Sequence, residues 1–455
     1  GGVRNAALKL SVYGTILYRS FVGRYYADFR CGNIVEFNSV DICFVFEVKQ
    51  TFGYRYVVDD RIFFRSKLAV EIDGVKHALR SLPSGIYNKN VLNVIANGVV
   101  LNPFAFLDEL DENLNSGLKE FHLAISNRCH LILPSHIALD GAFEEKLGDN
   151  KIGTTHRGIG PCYCDKARRI GLRAGDLLYP EYLKERLHGL LAIDNTELAA
   201  LGKETIDEDQ LYRDLLKVAE RIKPFITDTS VLINSYIDSG KKVVFEGAQG
   251  SLLDLDHGTY PYVTSSSPTS ISIPVNCGVA PQKVSKVLAI MKAYMTRVGE
   301  GPMPTEQNND WGNAIREKGH EYGVVTHRPR RVGYLDLVLL GYTSMVSGVT
   351  DIAVTLFDVL MDVDDLRICV AYELDGKEIK TVPASEPEYA RCKPVYKYFH
   401  KIPHYDTKKI HSFEDFPIEA QEYLNFIRDY LHANISVVGL GPDRDETLVL
   451  RKIFD

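Results

Sequence analysis

No stretch of this chain reaches the roughly eighteen consecutive apolar residues that a membrane-spanning helix needs. The longest candidate, Leu337 to Thr350, is short and broken by Gly, Ser and Thr, so it reads as core. Positive charge is not in excess either. A formal net charge of -7 argues against a general nucleic-acid binder, although a cluster such as Arg328-Pro329-Arg330-Arg331 still suits a small anion. Cysteine is scattered: the 8 cysteines include one close pair, Cys162-Tyr163-Cys164, which lacks the two-residue gap of a zinc knuckle. These are expected to be reduced structural thiols, in keeping with a cytosolic or organelle-matrix setting. No linker rich in Pro, Gly or Ser, no repeat and no low-complexity stretch divides the chain, so one compact unit is expected.

What is present is ordinary globular material: 455 residues, 45% hydrophobic and 25% charged. β-branched apolar runs recur at Ile42–Phe46, Val91–Ile95, His130–Leu133, Lys242–Phe245, Val287–Ile290, Ile352–Leu356 and Ile435–Val438. Their continuous character suits buried strands of a mostly parallel sheet. Helical patterns at Glu181–Leu191, Asp207–Ile222 and Pro417–Leu431 lie between them, which predicts an α/β fold with a large, mostly parallel central sheet flanked by helices. The chain opens Gly1-Gly2 rather than Met, which leaves a cleaved targeting peptide, a tag remnant or an upstream start open.

Four segments are unusually rich in Gly, Arg and hydroxyls. In Gly153-Thr154-Thr155-His156-Arg157-Gly158-Ile159-Gly160-Pro161, hydroxyls and backbone N–H groups beside Gly make an oxyanion cradle, with a solvated surface loop as the alternative. Phe245-Glu246-Gly247-Ala248-Gln249-Gly250 places small residues after a candidate strand, where a ligand can approach the backbone, and the Gln249 amide is suited to a base edge. A tight hydrogen-bonded turn is the plainer alternative there. The third is Thr296-Arg297-Val298-Gly299-Glu300-Gly301-Pro302, and the fourth Thr326-His327-Arg328-Pro329-Arg330-Arg331. Three arginines in four residues repel one another unless they are solvated or face anions, which favours a carboxylate or phosphate ligand.

In this order and spacing the four segments resemble the signature loops of the adenylosuccinate synthetase family. Leu82-Pro83-Ser84-Gly85-Ile86, Asn97-Gly98-Val99-Val100, Glu321-Tyr322-Gly323 and Gly441-Pro442-Asp443-Arg444 resemble further landmarks. The resemblance implies that family's fold, related to P-loop nucleotidases, in a homodimer. It also implies a GTP- and Mg²⁺-dependent ligation of IMP to L-aspartate. By position, Thr155, Arg169, Gln249 and Thr264 match IMP-binding residues, Arg169 reaching across the dimer. Arg328 and Arg330 match the arginines that hold aspartate and GTP phosphates, and Asp358 and Gly441 match guanine-nucleotide positions. Cytoplasmic residence follows from the family, with an organelle matrix such as the mitochondrial one left open by the missing Met.

The GTP side departs from the pattern. Against the family's Gly-Asp-Glu-Gly-Lys-Gly-Lys loop stands Ala27-Asp28-Phe29-Arg30-Cys31-Gly32-Asn33. Asp28 keeps the general-base position, while Phe29 and Arg30 crowd a cradle that needs bare backbone. The catalytic histidine falls on Tyr54, the metal-facing positions on Asp28 and Gly53, and the guanine-stacking lysine on Leu356. Losing a positioned acid or base costs about 10²–10⁴ in rate. A lost preorganised electrostatic contact costs roughly 10²–10³, although such losses do not simply multiply. The expectation is a pseudoenzyme that keeps a pocket for IMP or a related purine nucleotide, serving as a homodimer or as a structural subunit of a larger assembly. A working ligase with an altered GTP site is the alternative. Residues 1–21 are expected to be an N-terminal extension and 22–455 one domain, divergent over 22–60 with an insertion at about 61–70, where Ile62-Phe63-Phe64 is a candidate docking element.

Overall fold

The computed structural model describes residues 41–42, 54–58, 61–65, 69–72, 75–148, 153–247, 249–297, 300–322, 329–441 and 446–452. Asp28, Gly53 and Arg328 lie outside them, as does the side chain of Tyr54, whose backbone opens the strand Tyr54–Val58. That strand pairs antiparallel with Arg61–Arg65, so the expected insertion begins as the second arm of a hairpin.

Strands β1 (Asp41–Ile42), β2 (Val91–Ile95), β3 (His122–Ser126) and β4 (Ile226–Thr227) form one four-stranded sheet in chain order, all parallel. Every residue of β2 is buried, because a parallel strand covered on both faces tolerates no solvent-facing side. Five helices follow from β2 to β4: α1 (Pro103–Asn115), α2 (Pro134–Leu147), α3 (Ile159–Arg168), α4 (Pro180–Ala200) and α5 (Glu208–Ile222). Their starts are locally encoded. Asn102 caps α1 by accepting from the Phe104 and Ala105 N–H groups, with Pro103 in the first turn. Asp207 caps α5 through Gln210. The buried face of α5, Leu211, Leu215, Val218, Ala219 and Ile222, recurs at helical spacing and packs with Ile95, Leu107, Ile125 and Leu187 into one core.

A second four-stranded sheet contains β5 (Leu288–Lys292), β6 (Asp351–Thr355), β7 (Asn434–Gly439) and β8 (Thr447–Val449). The first three run parallel and β8 returns antiparallel along β7. Helices α6 (Asp310–Lys318), α7 (Leu337–Ser347) and α8 (Ile418–Leu431) complete the layer. Leu337, Ile352, Val354, Leu424, Ile427 and Val438 share the second core. The apolar run from Leu337 is thus a buried helix. None of the described helices is long and apolar enough to cross a membrane.

One expected strand needs correction. Lys242–Phe245 forms no regular strand among the described residues. Only Val244 of that segment is buried, and Lys242 is exposed, so it lacks the two-sided burial of a central strand. His130–Leu133 is also shorter than expected: His130–Leu131 pairs with Val100–Leu101, and Pro134 then starts α2.

Candidate functional site

Helix α3 organises the first part of the site. The glycine at its start is required by close approach: Gly158 has φ 73°, and a Cβ there would lie 2.9 Å from the His136 backbone. Its N–H donates to Asp140 Oδ2 at 2.9 Å, and the Gly153 N–H donates to Glu144 Oε2 at 3.0 Å. Two carboxylates of α2 therefore shape the loop that presents Thr155 and Arg157 to solvent. At the other end of α3, Arg169 is the C-cap in the left-handed conformation, with its side chain exposed.

The outer face of α3 gathers other predicted segments. The Tyr163 hydroxyl donates to the Gly98 carbonyl at 2.8 Å and is also bonded to Ser266. Burial pushes its pKa up, so it remains a donor at neutral pH. A Cβ at Gly160 would sit 3.2 Å from the Ser265 hydroxyl. Asn97-Gly98, the Thr155 loop and Thr264 to Ser266 thus converge on one helix. Thr264 itself is fixed by its N–H donating to the Leu253 carbonyl at 2.8 Å.

Asp254 holds the adjoining loop, and sequence reasoning gave it no role. It is fully buried and accepts from the Asp256 and His257 N–H groups and from both donors of Thr269. An Asp followed closely by polar turn residues is the available signal, an Asx turn. Ser84 donates to Glu246 Oε2 at 2.9 Å, joining the Leu82–Ile86 landmark to the loop of Gln249. Gln249 is exposed and left-handed at φ 55°, which turns the chain sharply there.

The arginine-rich segments meet internal carboxylates. Glu321 accepts from Lys292 Nζ at 2.6 Å, Tyr294 Oη at 2.7 Å and Arg330 Nη1 at 2.6 Å. Burial alone would raise the Glu321 pKa, but Lys292, Tyr294 and Arg330 outweigh it and hold the carboxyl below its ordinary value. Arg331 grips Glu306 through two nitrogens, at 2.8 and 2.5 Å. Arg297 is buried and donates to the Glu300 carbonyl and the Thr259 hydroxyl. The charge density of Arg330-Arg331 is therefore met by Glu321 and Glu306, two anions the chain itself supplies.

A third grouping lies at the carboxyl ends of β6 and β7, where parallel sheets place ligands. Asp358 follows β6; its Oδ1 is buried without a hydrogen-bond partner among the described residues, while the backbone N–H groups of Asp358 and Val359 serve the carboxylate. Burial raises its pKa, with the Lys318 charge acting against that rise. The Phe357 N–H donates to the Gly439 carbonyl at 3.2 Å, and the Leu440 N–H to the Glu446 carbonyl at 2.7 Å. The Glu446 carboxylate lies over Gly441, so that a Cβ there would meet its Oε2 at 2.3 Å and push the side chain aside. Asp358 and Gly441 thus belong to neighbouring strand ends. Tyr405 is an addition: it is buried, its hydroxyl is unpartnered, and the Asp358 charge reaches it.

Known proteins resemble this chain over most of its length. The sequence profile of the adenylosuccinate synthetase family matches residues 66–448, a span that leaves Asp28, Gly53 and Tyr54 outside. Adenylosuccinate synthetase of Clostridium perfringens is 46% identical over 385 residues, covering 84% of this chain and 90% of the relative. That of Streptococcus gordonii is 44% identical over 388 residues, covering 85% and 90%. The structure of fully ligated adenylosuccinate synthetase from Plasmodium falciparum matches with a TM-score of 0.77 at 32% identity, covering 90% of this chain and 94% of the other. With the loops in family order around α3 and the strand ends, the chain belongs to the adenylosuccinate synthetase family.

Proposed function

We propose that this chain binds IMP or a closely related purine nucleotide between the Thr155 loop, Gln249 and Thr264, and has lost most or all ligase turnover. The observation that carries the nucleotide part is the convergence of Gly98 and Ser266 on Tyr163 of α3, the helix that the Thr155 loop leads into. An exposed threonine loop that carries Arg157 is suited to a phosphate. Arg169 is exposed at its helix end, in keeping with a role across a homodimer.

The loss of turnover rests on sequence. By the resemblance, Phe29, Arg30 and Cys31 fall on the phosphate-loop positions, and Tyr54 on the histidine position. A phenol titrating near ~10 is a poor substitute for an imidazole at neutral pH. The family match beginning at residue 66 is in keeping with divergence before that point. GTP, where it binds, supplies the phosphoryl group that activates IMP, with Mg²⁺ offsetting its charge. On this chain Asp358 is the residue that would accept the guanine amide hydrogens. The positions for Mg²⁺, Asp28 and Gly53, lie outside the described residues, so no step is assigned through it.

Calorimetric titration with IMP, and separately with GTP and Mg²⁺, tests the proposal. IMP binding without GTP binding or adenylosuccinate formation is the expected result. The unpartnered Asp358 Oδ1 favours a second reading, a working ligase with an altered GTP site. GTP-dependent adenylosuccinate formation that disappears in Asp28→Asn would establish it. Binding of neither nucleotide would leave a structural subunit, with the Ile62-Phe63-Phe64 segment of the hairpin as the first surface to examine.

A further inference from the structure

Three ionisable side chains meet in the core between α2, α3 and α4, away from every ligand contact proposed above. His136 lies in the first turn of α2, Asp165 near the end of α3 and Asp194 in α4. His136 and Asp194 are fully buried, and Asp165 nearly so. The Leu133 N–H donates to His136 Nδ1 at 2.9 Å, so the ring proton resides on Nε2. Nε2 then donates to Asp165 Oδ2 at 3.1 Å, with Asp194 Oδ2 at 3.9 Å from the same nitrogen.

Donor atoms of these three types lie within 4.8 Å of one another, which by type suits a divalent cation. The tautomer argues against one. A metal on Nε2 would drive the ring proton to Nδ1, where it would face the Leu133 N–H. The arrangement instead suits a hydrogen-bonded brace. Helix α3 carries the Thr155 loop before its first turn and Arg169 after its last. It is held to α2 at both ends, by the Gly158 N–H on Asp140 and by Asp165 on His136. A small rotation of α3 would displace both phosphate-side elements at once.

We propose that the His136–Asp165 hydrogen bond is the positioning contact of the nucleotide-phosphate site, with the buried Asp194 carboxyl beside it. The proposal rests on the IMP-binding reading above. Charged groups facing the cluster are Arg168 of α3, 3.8 Å from Asp165 Oδ1, and Glu197 of α4, which pairs with Arg168 at 2.8 Å. Burial, and then the Asp165 charge, push Asp194 up to about 6, while Ser135 and His136 act in the opposite direction. A folded-state pKa above the unfolded one means that Asp194 stabilises the fold in acid. That contribution is complete below about pH 4 and is lost as pH rises through about 6.

Two substitutions at His136 separate bracing from simple packing. His136→Gln retains a donor near the Nε2 position, whereas His136→Asn retains only an acceptor near Nδ1. IMP affinity by calorimetry is expected to fall about tenfold or more in His136→Asn, the equivalent of 1.4 kcal/mol, and to stay within about threefold in His136→Gln. Hydrogen exchange of amides 153–169 is expected to speed up in His136→Asn alone, and it reads the brace even if the wild-type chain binds no IMP. Failure of IMP binding in the wild type would therefore sink the functional reading, while unchanged exchange in a folded His136→Asn would sink the brace. Asp194→Asn is expected to remove the rise in urea midpoint that the wild type shows between pH 7 and 5. Manganese or zinc binding to the wild type that disappears in Asp194→Asn would overturn the proposal in favour of a cation site.

Discussion

Lys292 and Glu321 form a 2.6 Å ion pair with both side chains almost completely sealed from solvent. Tyr294 and Arg330 donate to the same carboxylate, so three donors from β5, the turn after it and the arginine loop depend on one acceptor. Replacing the carboxylate by an amide removes the negative charge that the buried Lys292 and Arg330 share. Glu321→Gln is expected to destabilise the fold by about 3–5 kcal/mol, read as a lower urea midpoint. The lowered Glu321 pKa fixes the sign with pH. Its contribution is present above about pH 4.3 and is lost as pH falls through the lower folded value, so the substitution should flatten acid unfolding in that window.

Tyr163→Phe keeps the ring and removes the bond to Gly98 and Ser266. A half-buried carbonyl left without its donor costs about 1–3 kcal/mol. IMP affinity should fall by up to about tenfold while secondary structure by circular dichroism is unchanged.

Asp358 is expected to show the reverse of a stabilising residue. Its buried, unpartnered oxygen and raised pKa mean that the ionised carboxyl works against folding. Asp358→Asn should raise the urea midpoint at pH 8, by about 1–2 kcal/mol, and the gain should shrink as pH falls and the wild-type carboxyl takes up its proton. A binding-site residue retained at the expense of stability behaves in this way. An equal or lower midpoint at pH 8 would contradict the assignment.

Gly158→Ala combines a left-handed backbone with a 2.9 Å approach to the His136 main chain. A loss above about 2 kcal/mol is expected, with IMP binding abolished because the Thr155 loop can no longer close on α2. Thermal unfolding and calorimetry on the same preparation check both parts.

Much of the fold was legible because its signals are local. Val91–Ile95 and Ile435–Val438 announce themselves as unbroken apolar runs, and the Leu211-to-Ile222 face repeats at helical spacing. Lys242–Phe245 misled because β-branched composition is not burial, and burial depends on what covers the segment. Segments where a chemical type recurs within a few residues drew notice, as at Thr155 or Arg330, although the charge of Arg330 is met inside the chain by Glu321. Glu321 as a hub and His136–Asp165–Asp194 as a cluster were not, since their partners sit 29 residues apart and no periodicity links them. Tyr405 lacked any motif, and only its unpartnered hydroxyl near Asp358 draws notice.

The Ser84–Glu246 hydrogen bond spans 162 positions of the chain. During synthesis, the strands and helices before residue 240 can pair while the Gln249 loop is still untranslated, yet the nucleotide site has only one of its walls. A purine nucleotide cannot therefore act as an early template for this protein. A nucleotide held by the Thr155 loop, Gln249 and Thr264 would meet all its contacts only once the chain has been made past Ser266, so its stabilisation would fall on a long-range closure, where it would slow unfolding rather than hasten folding.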